Sequence, residues 1–423
     1  MAMRRLFNIL LLFIIGQLCI VNCLLAAQPK PVKPKTLISE AKAAIKNGKG
    51  QADAEKKLLE IVNREDVTQA QRAEIYFMAE ELERSMNGIE NEKLYLKQAY
   101  DTIRFFSTIL RMHQYLLACD SVESLPDAKG NVTYRYRAKS RDIMRAYHAN
   151  LLNGGKFLLK REKFAEAFPY FDIYLETSRG PILGDIPTIK NDTLLPRIAY
   201  WATVSAYNAN QPRKALKFMD EAIAGADSTM AITLQENKVR CYEVLGDRDE
   251  WMINLLAGST LYPQHDYFFL HLMDVYSSEK MYDEGIALVR RMRSEVGDKA
   301  IYALGECQMY QGKQDYDACI VAADNALRHD SLLIEAQYNK GVAYLNKAVA
   351  FAETACTDIR NPQCRKDRQT LLQLYRNALN PMEQVRRQAP QDTARWASPL
   401  YRIYLNLNMG KEFAEMEKIL NAK

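Results

Sequence analysis

Apolar residues recur at spacings of three and four along nearly the whole chain after residue 36. The segments "AEKKLLEIV" (Ala54 to Val62) and "EIYFMAEELERSM" (Glu74 to Met86) show this pattern clearly, and it is typical of helices with one buried face. No segment shows convincingly the alternating pattern of a half-buried β-strand. The chain is therefore predicted to be all-α, with helices separated by short turns.

The C-terminal half contains an internal repeat with a period of 34 residues. Tyrosines mark this period at Tyr242, Tyr276, Tyr310 and Tyr344. The residues three positions before them are Val239, Met273, Cys307 and Gly341. A fixed period of this length indicates an array of similar structural repeats.

This period and layout resemble the tetratricopeptide repeat (TPR) family, whose repeats each pair two antiparallel helices. The family places a small residue at the eighth position and an aromatic residue at the eleventh, as "EAQYNKGVAYL" does with Gly341 and Tyr344. The glycine costs a helix about 0.5–1 kcal/mol, and the close helix crossing that it permits offsets this cost. The resemblance implies an α-solenoid of antiparallel helix hairpins, a TPR-like right-handed superhelix with a concave surface.

The resemblance is uneven and divides the chain. Residues 197–423 are predicted to form a C-terminal TPR array, with an insertion of about 25 residues near 346–370. Residues 36–177 are predicted to form N-terminal helical hairpins that are weakly TPR-like. The Pro/Gly-rich segment 178–196 is predicted to be a connecting loop, which is either a joint between subdomains or a long hairpin turn; the turn is favoured.

Residues 1–27 are predicted to be a signal peptide, because two arginines precede a long apolar stretch that ends in small residues at Ala27. Residues 28–35 are predicted to form an extended Pro/Lys spacer. Two alternatives remain: lipidation at Cys23, and an uncleaved membrane anchor, for which the apolar run is about long enough. The mature protein is accordingly expected to be exported, and to be periplasmic or associated with the outer membrane of a Gram-negative bacterium.

Charge and motif content argue against nucleic-acid binding and against catalysis. The net charge is +5, and basic residues are interleaved with acidic ones instead of clustering. The five histidines have no metal-ligand spacing, and the chain has no Gly-rich phosphate loop or nucleophile-elbow motif. We therefore expect no enzymatic activity, no catalytic residues, no metal site and no cofactor.

Six cysteines follow the predicted signal peptide, and an exported chain meets oxidising conditions in which pairs form. Cys356 and Cys364 flank the turn-forming pair Asn361-Pro362 within the insertion, so a disulfide between them is predicted. Cys307 and Cys319 hold the eighth and twentieth repeat positions, which face each other in the TPR family. They are either a second disulfide or two small buried residues, and the sequence leaves this open.

The TPR resemblance also implies a binding surface. In that family the first helix of each repeat lines the groove, and carrying those positions over gives a set of polar and aromatic residues that we name the polar strip. The polar strip comprises Glu236, Asn237, Arg240, Tyr267, His271, Asp274, Gln308, Gln311, Glu335, Tyr338 and Asn339. Such a surface can hydrogen-bond an extended peptide and pack against its side chains.

These observations predict a non-enzymatic TPR scaffold that binds a protein or peptide partner in the cell envelope. The alternative is a glycan-binding component of outer-membrane nutrient uptake, which the single modest insertion and only three tryptophans disfavour. No nucleic-acid partner is expected. Membrane contact is expected only through lipidation at Cys23 or through anchoring by the N-terminal segment.

Overall fold

α-Helices account for all the regular secondary structure in the computed structural model, which describes residues 32–127, 129–358 and 360–421. The prediction of an all-α chain is therefore confirmed for this part of the chain. The predicted signal peptide and the alternative lipidation site at Cys23 lie outside the described residues. None of the described helices is long and apolar enough to cross a membrane.

The chain divides into two units between Ala226 and Asp227. The described part of unit 1 contains ten helices: α1 (Pro34–Asn47), α2 (Gln51–Ile61), α3 (Gln69–Tyr95), α4 (Thr102–Glu123), α5 (Arg137–Leu159), α6 (Phe164–Arg179), α7 (Pro187–Lys190), α8 (Leu195–Asn208), α9 (Pro212–Leu216) and α10 (Met219–Ala224). Successive helices from α1 to α6 pack against each other, so this half is also built from helix hairpins.

The first helix begins earlier than the sequence predicts. Pro34 and Lys35, predicted as the end of the spacer, instead form the first turn of α1. Proline suits this position, because the first helical residue needs no backbone N–H donor and the φ angle of proline is already helical. The helix ends at Gly48, whose φ of 65° lies in the left-handed region where glycine carries no steric penalty.

The Pro/Gly-rich segment 178–196 is not a joint between the two units. It connects α6 to α8 within unit 1, and these two helices pack against each other. The segment is itself anchored, because Ile182, Leu183 and Ile186 are buried in an apolar cluster of this unit. The predicted boundary is therefore corrected: residues 197–226 belong to unit 1 and not to the C-terminal array.

The described part of unit 2 also contains ten helices: α11 (Ser228–Leu245), α12 (Arg248–Leu261), α13 (Asp266–Ser278), α14 (Tyr282–Val296), α15 (Ala300–Gly312), α16 (Tyr316–His329), α17 (Ile334–Thr354), α18 (Pro362–Gln388), α19 (Thr393–Asn406) and α20 (Gly410–Asn421). They form five successive hairpins, from α11–α12 to α19–α20, and each hairpin packs on the next. Unit 2 is thus an α-solenoid.

The 34-residue period of the sequence is the period of these hairpins. The second helices α12, α14 and α16 begin at Arg248, Tyr282 and Tyr316, each 34 residues after the one before. All four repeat tyrosines lie on first helices, and each packs on an apolar cluster between helices. The internal repeat predicted from the sequence is therefore confirmed.

Gly341 lies on α17 at its crossing with α18. A Cβ atom at this position would lie 2.5 Å from the Sδ atom of Met382 and 2.6 Å from its Cγ atom. Both distances are far shorter than van der Waals contact, and the Met382 side chain is completely buried. The glycine therefore allows the close approach of the two helices that the sequence predicts.

The predicted insertion near 346–370 does not form a separate loop. It lengthens both helices of the fourth hairpin, so that α17 has 21 residues and α18 has 27. The backbone N–H of Gln363 donates to the side-chain oxygen of Asn361 (2.9 Å), which caps the start of α18. The extra sequence is therefore an extension of the two helices of one repeat.

Cys356 and Cys364 lie at the tip of this long hairpin. Both are half-buried free thiols in the structure, and the Sγ atom of Cys356 lies 3.8 Å from the carbonyl oxygen of Asp358. The disulfide between them stays a prediction.

A buried acid of unit 1 links the stability of this unit to pH. Glu80 on α3 is fully buried; its Oε1 atom accepts a hydrogen bond from Arg84 Nε (2.9 Å), and its Oε2 atom has no hydrogen-bond partner in the described residues. Burial raises the pKa of Glu80 to about 7, against the opposing attraction of Arg84. The folded state therefore favours the neutral acid.

We expect Glu80→Gln, which mimics this neutral acid, to be more stable than the wild type in alkaline solution. Because the folded-state pKa lies above the ordinary value of 4.5, the stabilising contribution is complete below that value and is lost as the pH rises through about 7. The gain near pH 8.5 should be on the order of 2 kcal/mol in the free energy of unfolding. Urea denaturation measures it.

The control for this prediction is Glu81→Gln, at the partly exposed neighbouring position. It should leave most of the pH dependence of stability in place, because the charge of Glu81 is the smallest of the causes that shift the pKa of Glu80. A difference between wild type and Glu80→Gln that is the same at about pH 5 and at about pH 8.5 would show that Glu80 is already ionised in the folded state.

Candidate functional site

The polar strip lies on the first helices of four successive hairpins, α11, α13, α15 and α17. None of its eleven residues is buried: Arg240 and Asp274 are exposed, and the others are half-buried. The helices α13, α15 and α17 pack side by side, and α17 also contacts α19. The structure therefore arranges the strip along one face of unit 2.

One end of the strip is a cluster of charged and aromatic side chains. Glu236 on α11 pairs with the Nε2 atom of His265 and, at 3.4 Å, with Arg240. The Arg240 guanidinium lies 5.5 Å from the centre of the Tyr267 ring, whose centre is 4.0 Å from that of His271. Burial raises the pKa of the Tyr267 hydroxyl, so it stays neutral. Four predicted strip residues are thus brought together.

The other end is a smaller cluster around Arg395 on α19. Its Nη1 atom lies 3.5 Å from Glu335 Oε1, and its guanidinium carbon lies 4.7 Å from the centre of the Tyr338 ring. A guanidinium over an aromatic face gains cation–π attraction, which favours this arrangement. Both clusters contain a glutamate, an arginine and a tyrosine, and the first also contains His265 and His271.

Amide side chains occupy the strip between the two clusters and beside them. Asn237, Gln308 and Asn339 make no side-chain hydrogen bond to another described residue, whereas Gln311 Oε1 lies 3.4 Å from the Sγ atom of Cys319. Each free amide offers two N–H donors and one carbonyl acceptor. These are the groups that a peptide backbone can pair with.

Sequence reasoning missed two members of these clusters. His265, six residues before His271, carries no repeat signature, and only its contact with Glu236 on the preceding first helix reveals it. Arg395 is 60 residues from Glu335. Allowing for the insertion of about 25 residues, that separation is close to one TPR period. The repeat numbering, corrected for the insertion, could therefore have identified Arg395 from the sequence.

The described residues contain no group of three or more histidine, cysteine, aspartate or glutamate side chains placed to hold a metal ion. The strip combines hydrogen-bonding amides, two arginine–tyrosine contacts and half-buried carboxylates. Such a set can bind a ligand by hydrogen bonds, charge and stacking.

Comparisons with known proteins found matches among solved structures. No family model matches the sequence. No curated protein matches it either. Among solved structures, the C-terminal part of a TPR repeat-containing protein from Cytophaga hutchinsonii is 11% identical and covers 62% of this chain and 97% of its own, with a TM-score of 0.34.

Two further structures are similar to a comparable degree. A TPR repeats protein from Bacteroides fragilis is 17% identical and covers 62% of this chain and 97% of its own, with a TM-score of 0.31. The TPR2AB domain of yeast Sti1 in complex with pHSP90 is 11% identical and covers 62% of this chain and 99% of its own, with a TM-score of 0.24. The 34-residue hairpins of this chain, and not these superpositions, define it as an all-α solenoid of TPR-like helix pairs.

Proposed function

We propose that unit 2 is a non-enzymatic scaffold that binds an extended peptide, or an extended segment of a protein, along the polar strip. The observation that carries this proposal is the pair of glutamate–arginine–tyrosine clusters at the two ends of the strip, with free amides alongside. Amides can pair with the peptide backbone, and the clusters can hold side chains by charge and stacking.

The dimensions of the strip suit a short peptide. Packed helices lie about 8–10 Å apart, so the three steps from α11 to α17 span about 24–30 Å. An extended chain advances about 3.3 Å per residue, so the strip accommodates roughly eight residues. Four helices with one or more polar positions each are enough to contact every second residue of such a peptide.

The proposal includes the cell envelope as the site of action. Its support is the sequence of residues 1–27, which has the charge and hydropathy pattern of a signal peptide. In this setting the scaffold meets its partner outside the cytoplasm, and membrane contact arises only through Cys23 or the N-terminal segment. Detection of the chain in envelope fractions tests this part of the proposal.

A glycan ligand is the weaker candidate. Sugars bind by stacking on open aromatic faces, but Tyr267 is contacted by Arg240 and His271, and Tyr338 lies under Arg395. The rings of the strip are therefore already engaged. A peptide that pairs with the amides does not need those faces.

Selection of random displayed peptides on the purified chain, followed by fluorescence anisotropy, tests the proposal. The amide variant Asn237→Ala/Gln308→Ala/Asn339→Ala should weaken binding of a selected peptide by about 10- to 1000-fold, because each of three lost hydrogen bonds contributes about 0.5–1.5 kcal/mol. These side chains make no internal hydrogen bond, so the fold should be unaffected.

The matched control is Asp249→Ala/Arg290→Ala/Asn325→Ala, which changes three residues on the second helices α12, α14 and α16. It should bind the selected peptide like the wild type. Equal loss in both variants, or selection of no peptide together with binding to oligosaccharide columns, would exclude the strip as a peptide site.

A further inference from the structure

The sulfur atoms of Cys307 and Cys319 are 2.7 Å apart. Cys307 lies on α15 and Cys319 on α16, the two helices of the third hairpin, and both side chains are completely buried. Around them is an apolar cluster that includes Ala323 and, from α17, Ala343. Apolar groups thus surround the pair, apart from the Oε1 atom of Gln311, which lies 3.4 Å from the Sγ atom of Cys319.

The sulfur–sulfur distance discriminates between three states of the pair. Non-bonded heavy atoms have their optimal separation at about 3.5–4.0 Å, and sulfur is larger than carbon, so two free thiols would overlap at this distance. Two thiolates on one zinc ion, each about 2.3 Å from the metal, would be about 3.7 Å apart in tetrahedral geometry. The observed distance is longer than the roughly 2.05 Å of a disulfide bond, but of the three states only the disulfide brings the sulfur atoms closer than non-bonded contact.

We propose that Cys307 and Cys319 form a disulfide that joins α15 to α16. The bond forms by exchange with a protein or small-molecule disulfide. The thiolate of one cysteine attacks the oxidant and releases one thiol, and the other cysteine then displaces the second thiol from the mixed disulfide. Two cysteine thiols are oxidised, the oxidant is reduced to two thiols, and the two protons stay with the reduced oxidant.

The thiol–disulfide exchange takes place while the chain folds, and not in the folded protein. Contact with Cys319, together with burial, raises the pKa of the Cys307 thiol, so the folded reduced protein holds very little of the reactive thiolate. The pair is accessible only before α17 covers the hairpin. Once formed, the bond fixes α15, which carries Gln308 and Gln311 at the centre of the polar strip.

Peptide mapping by mass spectrometry under non-reducing conditions tests the proposal. The full chain is refolded in a buffer of reduced and oxidised glutathione, unfolded in guanidinium with iodoacetamide, and digested. We expect the peptides that contain Cys307 and Cys319 to be linked and two hydrogen atoms lighter than the free pair. The isolated buried thiols Cys119 and Cys241 are internal controls and should be alkylated. Full alkylation of both Cys307 and Cys319 would overturn the proposal.

A second measurement separates this pair from the one at the hairpin tip. Reductant should lower the urea midpoint of Cys356→Ala/Cys364→Ala, which lacks the pair predicted at the hairpin tip, but not that of a variant that also carries Cys307→Ala/Cys319→Ala. Alanine suits positions 307 and 319, since the repeat prefers small residues there. A midpoint of Cys356→Ala/Cys364→Ala that does not respond to reductant contradicts the proposal, and the mapping result stands even if the variant with all four alanines does not fold.

Discussion

Trp396→Ala should lower the free energy of unfolding of unit 2 by about 3–5 kcal/mol. Trp396 lies at the start of α19, is almost completely buried, and donates a hydrogen bond from Nε1 to the carbonyl oxygen of Ala389 (2.9 Å). It packs in the apolar cluster that holds α18, α19 and α20 together. Its loss would leave a cavity at the last two hairpins and remove one of the two hydrogen bonds to the Ala389 carbonyl, which also accepts from the Asp392 backbone N–H (3.1 Å).

Circular dichroism during urea denaturation measures this effect. The control is Leu405→Ala on the same helix, where the side chain is 55% exposed and a loss below about 0.5 kcal/mol is expected. The neighbouring Arg395 depends on the same helix for its position, so peptide binding should weaken in Trp396→Ala as well. Equal stability of the two variants would show that α19 is not anchored by Trp396.

The second large effect concerns two glycines of unit 1 that respond to the same change with opposite signs. A Cβ atom on Gly155 would lie 2.6 to 3.0 Å from three ring carbons of Phe171, which is completely buried. Around Gly88, in the middle of α3, a Cβ atom would meet nothing within 4 Å. Alanine is the better helix former at both positions.

We expect Gly155→Ala to destabilise unit 1 by about 1–3 kcal/mol through overpacking, even after the gain in helix propensity. Gly88→Ala should stabilise it by about 0.5–1 kcal/mol. Urea denaturation of both variants against the wild type gives the two values. Stabilisation by Gly155→Ala would mean that α5 and α6 do not cross as closely as the structure shows.

The repeat could be predicted from the sequence because its determinants are local and periodic. The four tyrosines recur at one repeat position, and Gly341 lies three residues before the last of them. At these positions neighbouring helices are in contact, and the contact limits the size of the side chain. The lengthened hairpin could not be predicted in the same way. The start of α18, "PQCRKDRQ", is polar on nearly all sides, so it has no apolar stripe to indicate a helix.

The boundary between the two units could not be predicted from the sequence for a related reason. Pro and Gly residues mark 178–196 as a loop, but its isoleucines and leucine fold back onto the apolar cluster of unit 1. The real boundary, between Ala226 and Asp227, lies in a turn that resembles any other hairpin connection. The Pro and Gly content of a segment predicts that its backbone turns. It does not predict which helices the segment packs against.

The sequence could predict on which helices the candidate residues lie, but not which side chains contact each other. Repeat register placed eleven residues on first helices, and the structure places all of them there. The contacts of Glu236 with His265 and of Tyr338 with Arg395 join side chains from different hairpins. Such contacts depend on the stacking of the hairpins and on side-chain rotamers, which a one-dimensional period does not contain.

The central claim is that the face formed by first helices binds an extended peptide. Hydrogen–deuterium exchange of the chain with and without a selected peptide tests it most directly. The proposal predicts slower exchange confined to α11, α13, α15 and α17, and to α19 near Arg395, with α12, α14 and α16 unchanged. Slower exchange on the second helices instead, or only within unit 1, would contradict it.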